Sequence, residues 1–219
     1  MRQYILELII SIPGILMAFT VHEYAHAKTS YMLGDDTPYF QGRVTLNPLS
    51  HIDILGFISI LFFRFGWAKP VQVNKRAYKN YRRDDLLVSF AGPFANFILS
   101  VILELIKVIF LRYTINSFDK SSVQLVFGFL QYAVQINMVL FFLNLMPIPG
   151  FDGYHILKDI FPGFFRKLPY DIERYSIFIF MLCVIPLPMI NGSIFQYLVG
   201  YPASKTLVFI ENIFFALIM

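Results

Sequence analysis

Long apolar runs separated by short polar loops set the frame of this chain. A helix needs about 20 apolar residues to cross the hydrocarbon core of a bilayer. Residues 4–33 supply a first run, with Pro13-Gly14 inside it as an expected kink. Residues 86–112 supply a second and residues 122–146 a third. Two weaker runs follow, a short one at 175–190 and one at 203–219 that carries Lys205 and Glu211. The run 54–66, ILGFISILFFRFG, is too short to cross and reads as re-entrant or interfacial. Between the first and second spans the texture changes. TPYFQGRVTLNP (37–48) alternates in part and is bounded by Pro and Gly, which predicts a strand, and WAKPVQVN (67–74) is its expected partner. The expected fold class is an all-α polytopic membrane protein. A three-helix core occupies roughly residues 4–160, additional C-terminal transmembrane helices roughly 172–219, and a small re-entrant β-element joins the core. The whole of 1–219 reads as a single integral membrane domain.

Composition agrees. Of the 219 residues, 57% are hydrophobic and 15% charged, where a soluble domain is nearer a quarter charged. The single cysteine, Cys183, excludes an internal disulfide and a cysteine zinc cage. In FIFMLCVIPL it reads as a small buried apolar group. The net charge of +4 implies no nucleic-acid partner, because the positive residues cluster in particular loops. Arg64, Lys69, Lys75, Arg76, Lys79, Arg82 and Arg83 crowd into one, and Lys158, Arg166, Lys167 and Arg174 into another, whereas the loop between the second and third spans has Arg112 and Lys120. By the positive-inside rule the two basic loops face the cytoplasm and the N-terminus lies outside. Arg2 and the apolar run after it fit a signal peptide loosely, but no small-residue cleavage site precedes the polar motif, so the first span is expected to be retained. Internal repeats, low-complexity tracts and room for a soluble accessory domain are absent from the sequence.

The chemistry sits in FTVHEYAHA, residues 19–27. Ionisable groups are costly at membrane depth and need a reason to be there. His-Glu-x-x-His on a helix puts His22 and His26 one turn apart on one face, where both imidazoles reach one metal ion. Glu23 then stands beside the metal as general base toward water. The bland alternative is two histidines lining a polar crevice. A catalytic zinc takes three protein ligands and keeps one position open. The residues after His26, AKTSYMLG, offer no third ligand, and Asp35 and Asp36 beside Gly34 read as solvated turn residues. The next candidate is distant. In NLMPIPGFDGYH (144–155) two prolines and two glycines break a strongly apolar span. Such a break is tolerated at membrane depth where it is buried in protein or lines a wet cavity. Asp152 at that break would complete a set of two histidines and one aspartate. Alternatively it caps the short helix that follows, and His51 and His155 are rival ligands.

Together these segments resemble the site-2 proteases, zinc metalloproteases that cut transmembrane segments within the membrane. HEYAH matches the family's HExxH, and PIPGFDG matches its later Asp-Gly motif, with Phe151 where Leu is usual. AGPFAN (91–96), GRVTLNPLSHID and GWAKPVQVN also resemble the compact bacterial branch. The matches cover roughly residues 15–157, and no motif is recognised after about 170. The resemblance implies that the three core spans are catalytic, that His22, His26 and Asp152 bind one Zn2+ per chain, and that Glu23 is the catalytic acid/base. It also implies that Asn144 contacts the substrate backbone or the developing oxyanion. For Asn144 a helix-to-helix hydrogen bond competes. Asn96 reads as part of a close-packed helix face, and Gln124, Gln131 and Gln135 as an inward polar stripe.

The function expected is hydrolysis of peptide bonds within or near transmembrane segments, in regulated intramembrane proteolysis. Its partners are transmembrane protein or peptide substrates, the lipid bilayer and an unidentified regulatory subunit, with no nucleic acid. The location is the cell membrane, multi-pass, with the active site toward the cytoplasm. A membrane metal transporter is the rival from another class, although it needs sites opening to both sides and often repeated halves. A non-proteolytic membrane scaffold is the third reading.

Overall fold

The computed structural model describes residues 2–63, 66–114, 120–187 and 191–218. Among the described residues, four helical segments are long and apolar enough to cross a membrane: Leu8–Met32, Tyr81–Thr114, Ser122–Asn144 and Gln196–Ile218. The first lies in α1 (Arg2–Met32), the second is α4 (Tyr81–Thr114), and the third lies in α5 (Lys120–Asn144). The fourth joins a π-helical turn, Gln196–Gly200, to α9 (Tyr201–Ile218). Short helices link them: α2 (Thr37–Phe40), α3 (Ile54–Phe63), α6 (Asp152–Ile160), α7 (Pro162–Phe165) and α8 (Ser176–Val184). An all-α membrane protein is therefore what forms.

Helices α1, α4 and α5 pack on one another, and α9 packs on α4 and α5. Small residues bring the backbones close. A Cβ placed on Gly14 would stand 3.1 Å from the Ala133 Cα, so α1 and α5 touch almost backbone to backbone. Ser100 Oγ donates to the Val134 carbonyl at 2.9 Å and ties α4 to α5. Leu103, Leu130, Ala133 and Val134 form the buried centre, with Met17 and Leu207 against it.

A charged cluster joins α9 to this core. Lys107 is 2% exposed, and its Nζ lies 2.9 Å from Glu104, 3.1 Å from Glu211 and 2.9 Å from the Gln131 amide oxygen. Removing one partner of a buried pair leaves an uncompensated charge. Lys107→Met is therefore expected to destabilise the protein by about 3 kcal/mol. Adding Glu104→Leu should recover most of it, as thermal melting in detergent would reveal. A single variant melting like wild type would contradict this.

Three expectations change. The run at 175–190 does not supply a span. Its helix α8 has 9 residues and rises about 14 Å, less than half the hydrocarbon core; positions 188–190 lie outside the described residues. The alternation in 37–48 does not make a strand. Pro38 starts a helical turn, and the Phe40, Gln41, Gly42 and Arg43 amides all bond carbonyls of residues 36–39, so none is left for a ladder. Among the described residues the pairing expected between 37–48 and 67–74 is replaced by a single antiparallel bridge, Ile52 with Ala68. Of the glutamine stripe, Gln131 faces inward to Lys107, while Gln124 and Gln135 are exposed. Asn137, two residues on, is fully buried.

Candidate metal centre

His22, Glu23 and His26 are each 8% exposed, on the stretch of α1 that faces α4. About 10 residues, or 15 Å of helix, separate His22 from the end of α1 at Met32. Both rings are anchored on α4. His22 Nδ1–H donates to Asn96 Oδ1, and His26 Nδ1–H donates to the Val88 carbonyl, each at 2.7 Å. Asn96 is held in turn: its Nδ2 donates to the Ala18 carbonyl at 3.0 Å and to Asn137 Oδ1 at 2.8 Å. With Nδ1 protonated on both rings, each Nε2 presents a bare lone pair.

The third group arrives from the break after α5. Met146 and Ile148 are buried against Val199 and fix the path. Gly150 takes a positive φ of 96° to turn the chain. A side chain at Gly153 would strike the Leu145 carbonyl oxygen at 2.3 Å, so only glycine fits beside this loop. Asp152 is thereby placed in the first turn of α6, with Phe151 at the cap position and no side-chain capping bond. The capping alternative does not form.

The result is a triangle of electron-rich atoms. His22 Nε2 and His26 Nε2 are 3.0 Å apart, and Asp152 Oδ2 lies 3.2 and 3.3 Å from them. Asp152 Oδ2 is buried and accepts no hydrogen bond. With both rings neutral, two lone pairs and a carboxylate oxygen would face one another, an arrangement that a shared cation stabilises. A tetrahedral zinc with bonds of about 2.0–2.1 Å spaces its donors by about 3.3 Å. The residues therefore fit zinc in donor chemistry, spacing and burial. Among the described residues these three form the cluster able to hold a metal, and neither His51 nor His155 belongs to it. His51 is fully buried, with Nε2–H donating to the Thr45 carbonyl at 2.8 Å, and burial lowers its pKa. His155 lines a polar cavity of about 430 Å3 with Lys75, Asp85, Lys158 and Asp159, and burial lowers its pKa too.

Glu23 faces the segment 67–74. The Val71 N–H donates to Glu23 Oε2 at 2.9 Å. Asn144 spends its amide within its own helix, donating to the Leu140 carbonyl at 3.0 Å.

Three supporting residues escaped the sequence reading. Asn96 holds a histidine as well as packing. Its signal was Gly92 one turn before it, on the face that meets the HExxH helix. Asp35 is 1% exposed, not solvated. Its carboxylate accepts from Ser30 Oγ and from the Thr37 and Asn74 amides at 2.7–2.9 Å, and although burial opposes, these bonds hold its pKa below the ordinary carboxylate value. Arg43, 3% exposed, had no local signal.

Buried metal-spaced donors among helices long and apolar enough to cross a membrane define the class: a polytopic membrane protein with a candidate metal centre. Comparison with known proteins then gives the family. Residues 108–187, which include Asp152, match the model of Peptidase family M50. The chain is 41% identical over 185 residues to a Bacillus subtilis protein named "Putative zinc metalloprotease YwhC", covering 81% of this chain and 84% of that one. It is 33% identical over 159 residues to "Putative zinc metalloprotease Rip2" of Mycolicibacterium smegmatis, covering 71% and 58%. It is 31% identical over 160 residues to "Putative zinc metalloprotease MJ0611" of Methanocaldococcus jannaschii, covering 70% and 72%. No solved structure matches. The chain belongs to family M50, the site-2 proteases, and is a zinc-dependent membrane metalloprotease.

Proposed function

We propose that this enzyme hydrolyses peptide bonds within or next to transmembrane segments of other proteins, with His22, His26 and Asp152 holding one zinc ion and Glu23 as general base. The observation that carries this reading is the triangle of donor atoms, 3.0–3.3 Å on a side, formed by two histidines of a helix apolar enough to cross a membrane and an aspartate of the short helix α6. Zinc held there supplies Lewis acidity, acidifying water and polarising a carbonyl.

The chain's own groups do the rest. Asn96 and the Val88 carbonyl keep both imidazoles oriented and in the tautomer that presents Nε2. The Val71 N–H occupies Glu23 Oε2 and leaves Oε1 to accept a proton from water. Glu23 returns that proton to the amine as the peptide C–N bond breaks. Asn144, turned from the Leu140 carbonyl, donates to the oxyanion. The substrate lies unwound along residues 67–74, pairing through backbone bonds. The basic loops face the cytoplasm and the N-terminus lies outside, so water reaches the site from the cytoplasmic side. Substrates are membrane proteins cleaved in regulated intramembrane proteolysis, with access governed by a further subunit.

Asp152→Asn tests the ligand set. The amide keeps the shape but loses the anion, so zinc affinity should fall by more than the roughly 10- to 100-fold typical of losing one supporting partner, and cleavage of a transmembrane peptide in proteoliposomes should fall with it. Unchanged zinc content would remove Asp152 from the site.

A further inference from the structure

We infer that Arg43 is a positioning residue for the reaction, setting the Glu23 carboxylate through the backbone of Lys69–Val71. This rests on Glu23 being the general base.

Arg43 belongs to no element that would bury it by default. It follows the turn at Gly42, in a loop whose neighbours Leu46 and Leu49 are exposed. A buried guanidinium is costly unless its donors are used. Here the two terminal nitrogens are used on backbone, while Nε is buried without a hydrogen-bond partner. One terminal NH2 donates to the Ser50 carbonyl and the other to the Lys69 carbonyl. The planar fork thus ties the loop 43–51 to the segment 67–71, which are also registered by the Lys69 N–H on the His51 carbonyl at 2.9 Å and the Ile52–Ala68 bridge. Two residues beyond the clasped carbonyl, past the stiff Pro70, the Val71 N–H meets Glu23 Oε2 at 2.9 Å. From Arg43 to Glu23 the path therefore runs through one carbonyl, one proline and one amide.

The charge is placed to match. Burial lowers the Arg43 pKa, and the nearby Glu23 carboxylate counters it. The guanidinium spends its hydrogen bonds on the loop and its field on the base. If the loop alone needed holding, the bridge and the Lys69–His51 bond already do so; what Arg43 adds is the placement of the Lys69 carbonyl, and with it the Val71 amide. A carboxylate pinned by one oxygen presents the other in a fixed direction, and a misplacement of about 1 Å at such a group costs on the order of 100-fold.

The test is a double-variant cycle in the full-length, zinc-loaded protein. Arg43→Ala and Val71→Pro, which deletes the amide donor, should each lower kcat by about 10- to 100-fold while zinc content stays at one per chain. Because both act on one contact, the double variant should lose no more than the worse single variant. Guanidinium ion at millimolar concentration should restore part of the kcat of Arg43→Ala, but not that of the double variant. If Arg43→Ala proves unstable, Arg43→Lys serves: one ammonium does not span both carbonyls, so kcat should fall about tenfold with the melting temperature kept. Losses that multiply in the double variant, or Arg43→Lys at wild-type kcat, would overturn the inference. Glu23→Gln as control separates the two levels. If it turns over normally, the base assignment fails; if it is inactive while the Arg43 and Val71 losses multiply, only the role of Arg43 fails.

Discussion

Glu23→Gln is expected to lower cleavage of a transmembrane substrate by about 1,000-fold and to leave the zinc content at one per chain. Glutamine has the volume and shape of glutamate. Its amide oxygen still accepts the Val71 N–H that Glu23 Oε2 receives now. It does not touch the donor triangle of His22, His26 and Asp152, so the metal should stay. What disappears is the proton acceptor. Without it the attacking water keeps its proton and the departing amine receives none, and both halves of the reaction slow. Two measurements suffice: turnover of a membrane-embedded peptide in proteoliposomes, and zinc per chain by atomic absorption. Wild-type turnover would dismiss Glu23 as base. Joint loss of turnover and zinc would recast it as a support of the metal. The inactive, zinc-loaded variant should also retain uncleaved substrates on pull-down, which would identify them.

How much could be read in advance follows from how local each feature is. A membrane span is written in its own composition, so the runs at 4–33, 86–112 and 122–146 became α1, α4 and α5 with only their ends moved. The histidine pair is equally local, because helix geometry alone puts His22 and His26 one turn apart. Asp152 was legible as the polar group at a proline-glycine break that lipid would not tolerate unsupported. The failures are non-local. The stretch 37–48 has the alternation of a strand, but a strand needs a partner edge, and Pro38 commits the chain to a turn first. Asp35 looked like a turn residue because two of its donors, Ser30 Oγ and the Thr37 amide, are local, whereas the Asn74 amide that completes its burial arrives only after the chain doubles back. Arg43 and Val71 are 28 positions apart and act on a carboxylate 20 positions further back, counted from the residue numbers. No periodicity encodes such a meeting. It follows from the packing of the loop between α1 and α4 onto the helix that carries the site.

Gly92→Ala is expected to strip the site of metal. Val88, Gly92 and Asn96 lie at intervals of four along α4 and so form one stripe on its face. The outer two grip the imidazoles, Val88 through its carbonyl to His26 and Asn96 through Oδ1 to His22. The middle one leaves the space in which the rings lie. A methyl group on Gly92 would fall 2.2 Å from His26 Nε2, 2.6 Å from His26 Cε1 and 2.7 Å from His22 Cε1, all far inside van der Waals contact. The rings have little freedom to retreat, since their Nδ1 bonds to the same helix hold them at 2.7 Å. Either those bonds break and the Nε2 lone pairs turn from Asp152, or α1 moves off α4; both outcomes dismantle the triangle. Zinc affinity should fall by more than the 10- to 100-fold typical of losing one supporting bond, and activity should fall with it. Alanine is about 1 kcal/mol better than glycine inside a helix, so a damaged α4 would not explain the loss. Gly128→Ala supplies the control. Its new methyl would meet only Ile10, at an ordinary 3.9 Å, and zinc and turnover should stay at wild-type levels. If Gly92→Ala keeps its zinc through dialysis and cleaves at the wild-type rate, the two histidines do not approach α4 in the working enzyme as they do here, and the metal site must be drawn elsewhere.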